Sequence, residues 1–453
     1  LVLFENLEIW TEKLVNLVWG LPLVVLLVGT GLFFTIYFGI PQICFFREAI
    51  SIIRGKFDKR DEPGEISHFQ ALTAALSATV GLGNISGVAV AISLGGPGAV
   101  FWLWVAGFIG MCTKFVEVTL SVKYREVAPS GHVHGGPMYV IKNGLPRSFA
   151  FLGFLYAGFT VLSSLGAGNM FQSNQMALVL NKTLSMPEWL SGGLFCLGAF
   201  LILVGGIKRI GKVTEKLVPA MILIYFLGAV FIVVTQLDRV PSVLMSIFKD
   251  AFLGSAAVGG FAGAAFKDVL IMGIRRATFS NEAGMGSSAM AHSAAKTEPI
   301  HEGIVALLEP FIDTIVVCTI TAVAILLTGA WMNPQAGVGS EMTAFAFESV
   351  MGPLGRWIVT LTVTLFAFST IISWSYYGEQ GITFLVSEKW IPAFRYVFIG
   401  FIFIGAVFPV KVVLNVSDAF YGLLAVPNLI ACYLLFPQVK KMLLKYKNNT
   451  KEL

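Results

Sequence analysis

Residues 71–96 read ALTAALSATVGLGNISGVAVAISLGG. The run is long and apolar enough to cross a bilayer, which takes about 20 such residues. Its middle, Gly81-Leu82-Gly83-Asn84, is nevertheless poor helix-forming sequence, because glycine relaxes the backbone and Asn competes for backbone hydrogen bonds. Residues 258–288 read VGGFAGAAFKDVLIMGIRRATFSNEAGMGSS and carry the same device at Gly284-Met285-Gly286-Ser287. Both runs are weak as plain lipid-facing helices.

Working outward, the whole chain has the composition of a protein dissolved in lipid. Its 453 residues are 56% hydrophobic and 13% charged, with a mean hydropathy of +0.80. That lies far outside the range of water-soluble domains. Its 38 Phe and 47 Gly suit helices that face lipid and pack closely on one another. The net charge of +5 sits in short loops between apolar runs, so membrane orientation explains it and a nucleic-acid partner is not expected. The five cysteines stand singly, which argues against a disulfide framework or a zinc site. Leu1 to Trp19 carries Glu5, Glu8 and Glu12 and does not read as a signal peptide.

Hydropathy predicts eleven spans, at 17–40, 68–93, 99–121, 149–180, 188–206, 215–236, 257–290, 303–330, 354–380, 391–410 and 414–437. Basic residues follow the first span (Arg47, Arg54, Lys56, Lys59, Arg60), the third (Lys123, Arg125, Lys142, Arg147) and the fifth (Lys208, Arg209, Lys212, Lys216), and recur in the tail from Lys440 to Lys451. By the positive-inside rule the N-terminus is outside, the C-terminus and the 121–148 loop are cytoplasmic, and 331–352 is external. The chain is therefore expected to be a multi-pass protein of the plasma or inner membrane.

The two Gly-interrupted spans lie five spans apart, hence in opposite orientation. Irregular backbone survives at membrane depth only where it lines a cavity, so the pairing points to the binding site of an inverted-repeat transporter. The break in 257–290 falls either near Met272-Gly273-Ile274 or near Phe279-Ser280-Asn281-Glu282; counting back from the following loop favours the second.

Gly95-Gly96-Pro97-Gly98-Ala99-Val100-Phe101-Trp102-Leu103-Trp104, running on to Gly110-Met111, resembles the signature of the alanine or glycine:cation symporters. Ser280-Asn281-Glu282-Ala283-Gly284-Met285-Gly286 resembles that family's second hallmark. The similarity covers nearly the whole chain. Leu103 stands where Met is usual and Gly107 where another small residue is common, both mild departures. The resemblance implies an all-α polytopic fold with the LeuT-type 5+5 inverted repeat: 17–40 as an added peripheral helix, 68–236 as the first repeat and 257–437 as the second. It also implies sodium coupling, with alanine and glycine as substrates.

An amino-acid zwitterion at the bilayer midplane must have both charges matched. The second half of a broken helix offers free N–H groups to a carboxylate, and unwound carbonyls hold ammonium or sodium. The carboxylate is thus expected at the backbone of Gly81 and Gly83. Asn84 and Thr79 present oxygens that serve either a ligand, sodium included, or a neighbouring helix. In the LeuT-type fold, paired hydroxyls such as Ser369 and Thr370 join first-helix carbonyls, here of Ser77 and Val80, around sodium. Trp374, one turn beyond Thr370, would then wall the substrate pocket and favour small side chains. Phe171 and Gln172 in the long fourth span, and Phe279 and Ser280 at the second break, complete the candidate substrate residues. Glu282 is either a proton-coupling acid or the ion-pair partner of Arg275 or Arg276, with the structural pair favoured; Asp313 carries the same two readings, with a second cation site as a further alternative.

His132-Val133-His134 is the one candidate for chemistry. With only Glu126 nearby in sequence, a loop hydrogen-bonding role is preferred to a metal or acid-base site. A membrane-embedded enzyme is accordingly the less favoured alternative, and a channel is not expected because no ring-forming repeat or filter-like run is visible; an exchanger without sodium, or with proton coupling, stays open beside the symporter.

Overall fold

The computed structural model describes residues 2–55, 63–128, 131–203, 206–253 and 262–451, which are almost entirely helical. Two N-terminal helices, α1 (Val2–Val18) and α2 (Leu21–Phe38), lead through the short α3 (Pro41–Cys44) and α4 (Phe46–Ile53) to α5 (His68–Thr79). A π-helical turn at Gly83–Gly87 and α6 (Val88–Gly95) continue α5 after a break, and the two halves are bent by 48°. Then come α7 (Gly98–Lys123), a hairpin of β1 (Glu126–Val127) and β2 (Val133–His134), α8 (Pro137–Gly144), α9 (Ala150–Leu165) and α10 (Phe171–Leu184). Helices α11 (Glu188–Leu203), α12 (Gly206–Thr235) and α13 (Val240–Leu253) close the first half of the chain.

The second half opens with α14 (Ala262–Asn281) and the short α15 (Ala289–Ser293). One long helical run follows, made of α16 (Pro299–Ala306), α17 (Leu308–Pro310), a π-helical stretch at Phe311–Cys318 and α18 (Thr319–Thr328). Helices α19 (Ser340–Met351), α20 (Pro353–Leu385), α21 (Ile391–Val407), α22 (Val410–Gly422) and α23 (Ala425–Lys451) complete the chain.

Among the described residues eight helices are long and apolar enough to cross a membrane, and nine if the bent pair is one span. The two expected spans that fall short are 188–206 and 257–290. Helix α11 stops at Leu203, with 204–205 outside the described residues, and α14 ends at Asn281, with 257–261 likewise outside. Most of the basic cluster after the fifth span, placed in a loop by hydropathy, instead begins α12: Lys208 and Lys212 are already helical. The expected external 331–352 segment is not a plain loop, because α19 folds back and its Ser340 donates to the Gln175 carbonyl at 3.3 Å.

Lipid-facing side chains such as Leu197, Leu223, Phe231 and Trp357 are exposed, while polar groups turn inward, as a bilayer solvent requires. One inward cluster joins α7, α5 and the 288–309 segment. His68 Nδ1 lies 2.5 Å from Glu302 Oε2, His292 Nδ1 2.7 Å from Glu302 Oε1, His292 Nε2 3.3 Å from Glu309 Oε2, and Lys114 Nζ 3.2 Å from Glu309 Oε1. All five are buried. Removing one partner of such a cluster leaves a buried charge uncompensated, at about 3–5 kcal/mol. Lys114→Met is therefore expected to lower the melting temperature in detergent sharply, and Lys114→Met/Glu309→Gln to recover part of the loss; equal melting of the two variants would dissolve the pairing argument.

Candidate functional site

The first break is built by its own sequence. Ser67 and Gln70 form a reciprocal cap that starts α5, and α5 runs undisturbed to Thr79, whose hydroxyl bonds back to Ala75 O at 3.2 Å. The Gly81 N–H, which would bond Ser77 O in a continued helix, goes instead to Thr79 O and to Asn84 Oδ1, each at 2.9 Å. The Leu82 N–H donates to Gln172 Oε1 at 3.2 Å. Gln172 is itself held by its Nε2 on Ala167 O at 3.0 Å.

The Ser77 carbonyl released by this diversion accepts the Thr370 hydroxyl of α20 at 3.0 Å, and the Ser77 hydroxyl donates to Ser369 O at 2.8 Å. A Cβ at position 81 would lie 2.4 Å from Thr370 Oγ1, so only glycine lets the break approach α20 this closely. Ser369 is turned differently from Thr370: its hydroxyl donates to Phe366 O at 3.0 Å, beside Met221 Sδ. Val80 is fully buried in the break.

The second break is the one expected near Phe279–Glu282. Glu282 takes a left-handed φ of 59° immediately after α14 ends. The expected pairing of Glu282 with Arg275 or Arg276 is absent: both arginines bond Asp418 Oδ2 of α22, and Glu282 accepts the Ser287 hydroxyl. The helix reversal after Asn281 explains this, since it carries Glu282 away from the arginines one to two turns back on α14.

The two breaks meet across Asp313. Its Oδ1 accepts Asn84 Nδ2 at 2.7 Å and Ser280 Oγ at 3.0 Å, its Oδ2 accepts Thr314 Oγ1 at 2.8 Å, and its carbonyl accepts Asn84 Nδ2 at 2.9 Å. Asn281 Nδ2 reaches Thr314 Oγ1 at 2.9 Å. Gly83 completes the approach, its α-carbon facing the Ser280 backbone. Asn84 is thus spent on both sides, by Gly81 N and by Asp313.

Aromatic rings enclose the space beside the breaks. Phe279 lies edge to face with Phe171 (5.2 Å between centroids) and with Tyr421 (5.3 Å), and Trp374 with Tyr421 (5.9 Å) and Tyr377 (5.1 Å). Arg276 stacks over Phe279 at 5.1 Å. Trp374 reaches this position because α9 and α10 are joined by a π-helical turn at Gly166–Met170; a Cβ on Gly168 would sit 2.2 Å from Trp374 Cγ. Sequence reasoning missed Gly168, Gln175 and Asp418. A signal existed for the first, since Gly166-Ala167-Gly168-Asn169 repeats the Gly-X-Gly-Asn pattern of residues 81–84.

Helix α20 continues from Thr370 and Trp374 to a cavity of about 320 Å³ lined by Glu65, His134, Tyr376, Glu379, Gln380 and Arg395. The β1–β2 hairpin borders it. His134 Nε2 is 2.7 Å from Glu388, and Val133 N donates to Glu65 Oε1 at 2.8 Å. The carboxylates near the two histidines come from distant sequence, yet among the described residues no His/Cys/Asp/Glu group has metal-binding geometry.

Two interrupted helices meet around a buried polar centre, and the fold is of the LeuT type. The sequence profile of the sodium:alanine symporter family matches residues 4–453, and the chain belongs to that family. It is 40% identical over 425 residues to the sodium/alanine symporter AgcS of Methanococcus maripaludis, covering 93% of each chain. It is 36% identical over 439 residues to a Bacillus subtilis protein named "Probable sodium/glutamine symporter GlnT", covering 96% of this chain and 90% of that one. In fold it is similar to the crystal structure of MhsT in complex with L-phenylalanine, with a TM-score of 0.50 at 14% identity over 82% of this chain and 98% of that one.

The Gly168–Trp374 contact makes a direct prediction. Overpacking of this kind costs about 1–3 kcal/mol, so Gly168→Ala is expected to lower vesicle uptake about tenfold or more, and Gly168→Ala/Trp374→Phe to restore part of it. Unchanged uptake in Gly168→Ala would show that Trp374 is not held there.

Proposed function

We propose that the chain couples inward sodium movement to uptake of small neutral amino acids, alanine and glycine, across the cell membrane by alternating access. The observation that carries the reading is the Thr370 hydroxyl on the carbonyl of Ser77 at the first break. A hard monovalent cation takes neutral oxygens of this kind. Ser77 O, Val80 O, Thr370 Oγ1 and, after a change of rotamer, Ser369 Oγ form the sodium site.

The substrate carboxylate binds the backbone amides of residues 81–83. There it takes the place of Gln172 Oε1 on Leu82 N, which explains why an amide side chain stands guard over that donor. Asn84 and Ser280 hold the frame through Asp313, Thr79 flanks the break, and Phe171, Phe279 and Trp374 limit side-chain size. Residues 68–236 and 257–437 act as the two inverted repeats, with 17–40 peripheral. The Lys and Arg distribution supports an external N-terminus and a cytoplasmic C-terminus.

One sodium moving inward gains about 2.3 kcal/mol per 100 mV, enough for roughly fortyfold accumulation before its own gradient is counted. The test is uptake of labelled alanine into proteoliposomes with an inward sodium gradient, against potassium, for the wild type and Thr370→Val. Loss of one hydroxyl contact is worth about 1.5–3 kcal/mol, so the sodium concentration for half-maximal uptake is expected to rise about tenfold or more in the variant. Sodium-independent uptake by the wild type would instead establish an exchanger or a proton-coupled carrier.

A further inference from the structure

The membrane-facing surface carries a groove of about 500 Å³ between α5, α12 and the 308–316 stretch, lined almost wholly by apolar side chains, among them Phe69, Leu72 and Leu76 of α5, Pro219 and Leu223 of α12, and Ile312. Along α12 the lining runs from Val218 to Phe226, about 12 Å at 1.5 Å per residue. That approaches one leaflet's share, ~15 Å, of a hydrocarbon core about 30 Å thick. The groove has the length and polarity of one acyl chain.

The charge at its end says what kind. Lys212, Lys216, Pro219 and Leu223 follow one another at helical spacing along one face of α12, and both lysines are exposed. Neither makes an ion pair among the described residues. Their neighbour Glu215 turns to α5, where it accepts from Gln70 Nε2 at 2.8 Å. Arg54 directly follows Ile53, which lines the same groove, and is exposed. An exposed cationic cluster at the mouth of an apolar groove in a membrane protein matches an anionic phospholipid, its chain in the groove and its phosphate at the lysines.

We propose that the groove is a specific site for one anionic phospholipid. Leu76, in its wall, is the residue before Ser77, whose carbonyl meets Thr370. The occupant therefore packs on the outer face of the same half-helix that presents that carbonyl on its inner face.

The test is native mass spectrometry of the full chain in mild detergent with added phosphatidylglycerol or phosphatidylcholine. The wild type is expected to retain one phosphatidylglycerol at collision energies that strip phosphatidylcholine. Lys212→Gln/Lys216→Gln, at exposed positions that the fold does not need, is expected to bring retention down to the phosphatidylcholine level; Leu223→Trp, which fills the groove from its open side, is expected to abolish it. Equal retention of the two lipids by the wild type, undiminished retention by the double lysine variant, or a lipid-free dimer would overturn the proposal. Because the readout is binding, it stands apart from whether alanine and sodium are the cargo.

Discussion

The carboxylate of Asp313 is the point on which the arrangement depends. A carboxylate buried at membrane depth is costly unless donors surround it. Here the donors come from both interrupted spans, Asn84 from the first and Ser280 from the second, with Thr314 from its own helix. Asp313 itself projects from a π-helical stretch, where one extra residue per turn turns a side chain out of its regular register. Each break alone would leave backbone groups unsatisfied in an apolar medium. Together, with one acceptor between them, they form a rigid polar centre.

From that centre the rest follows by small displacements of backbone hydrogen bonds. Asn84 draws the Gly81 N–H off the helix ladder, which releases the Ser77 carbonyl toward Thr370. Gln172 covers the next amide. The Gly168 turn lets the indole of Trp374 occupy space that any side chain at 168 would fill. A single uninterrupted helix, α20, then links this centre to the cavity beneath the β1–β2 hairpin. Arg275 and Arg276 on Asp418, with Trp19 Nε1 on the Asp418 carbonyl at 2.8 Å, bind α14 to α22 and to the N-terminal helices.

Much of this was legible from residue order. The interruption at Gly81–Asn84 rests on local chemistry, glycine where helix must stop, and the choice of Phe279–Glu282 over Met272–Ile274 for the second break on span length; the partnership of Ser77 with Thr370 came from the family resemblance. Other parts were not. Glu282 stands three to four places from nothing basic once α14 ends at Asn281, so proximity along the chain misdirected its pairing with Arg275 and Arg276. Asp418, about 140 positions away, takes both arginines. Glu65 and Glu388, likewise remote in sequence, supply the carboxylates that His132 and His134 meet.

Composition and periodicity thus determined on their own that the chain lives in lipid, where its interruptions fall and which small polar residues mark them, because bilayer burial and backbone satisfaction are properties of single segments. Which buried charge answers which was decided only by tertiary structure. Ion pairs and glycine contacts across helices depend on how segments hundreds of residues apart are packed, and a polar side chain in a membrane helix is stable with any donor or acceptor the fold brings to it. Asp313 between two breaks, Gly168 under Trp374 and the histidine–glutamate–lysine cluster from His68 to Lys114 are three such choices.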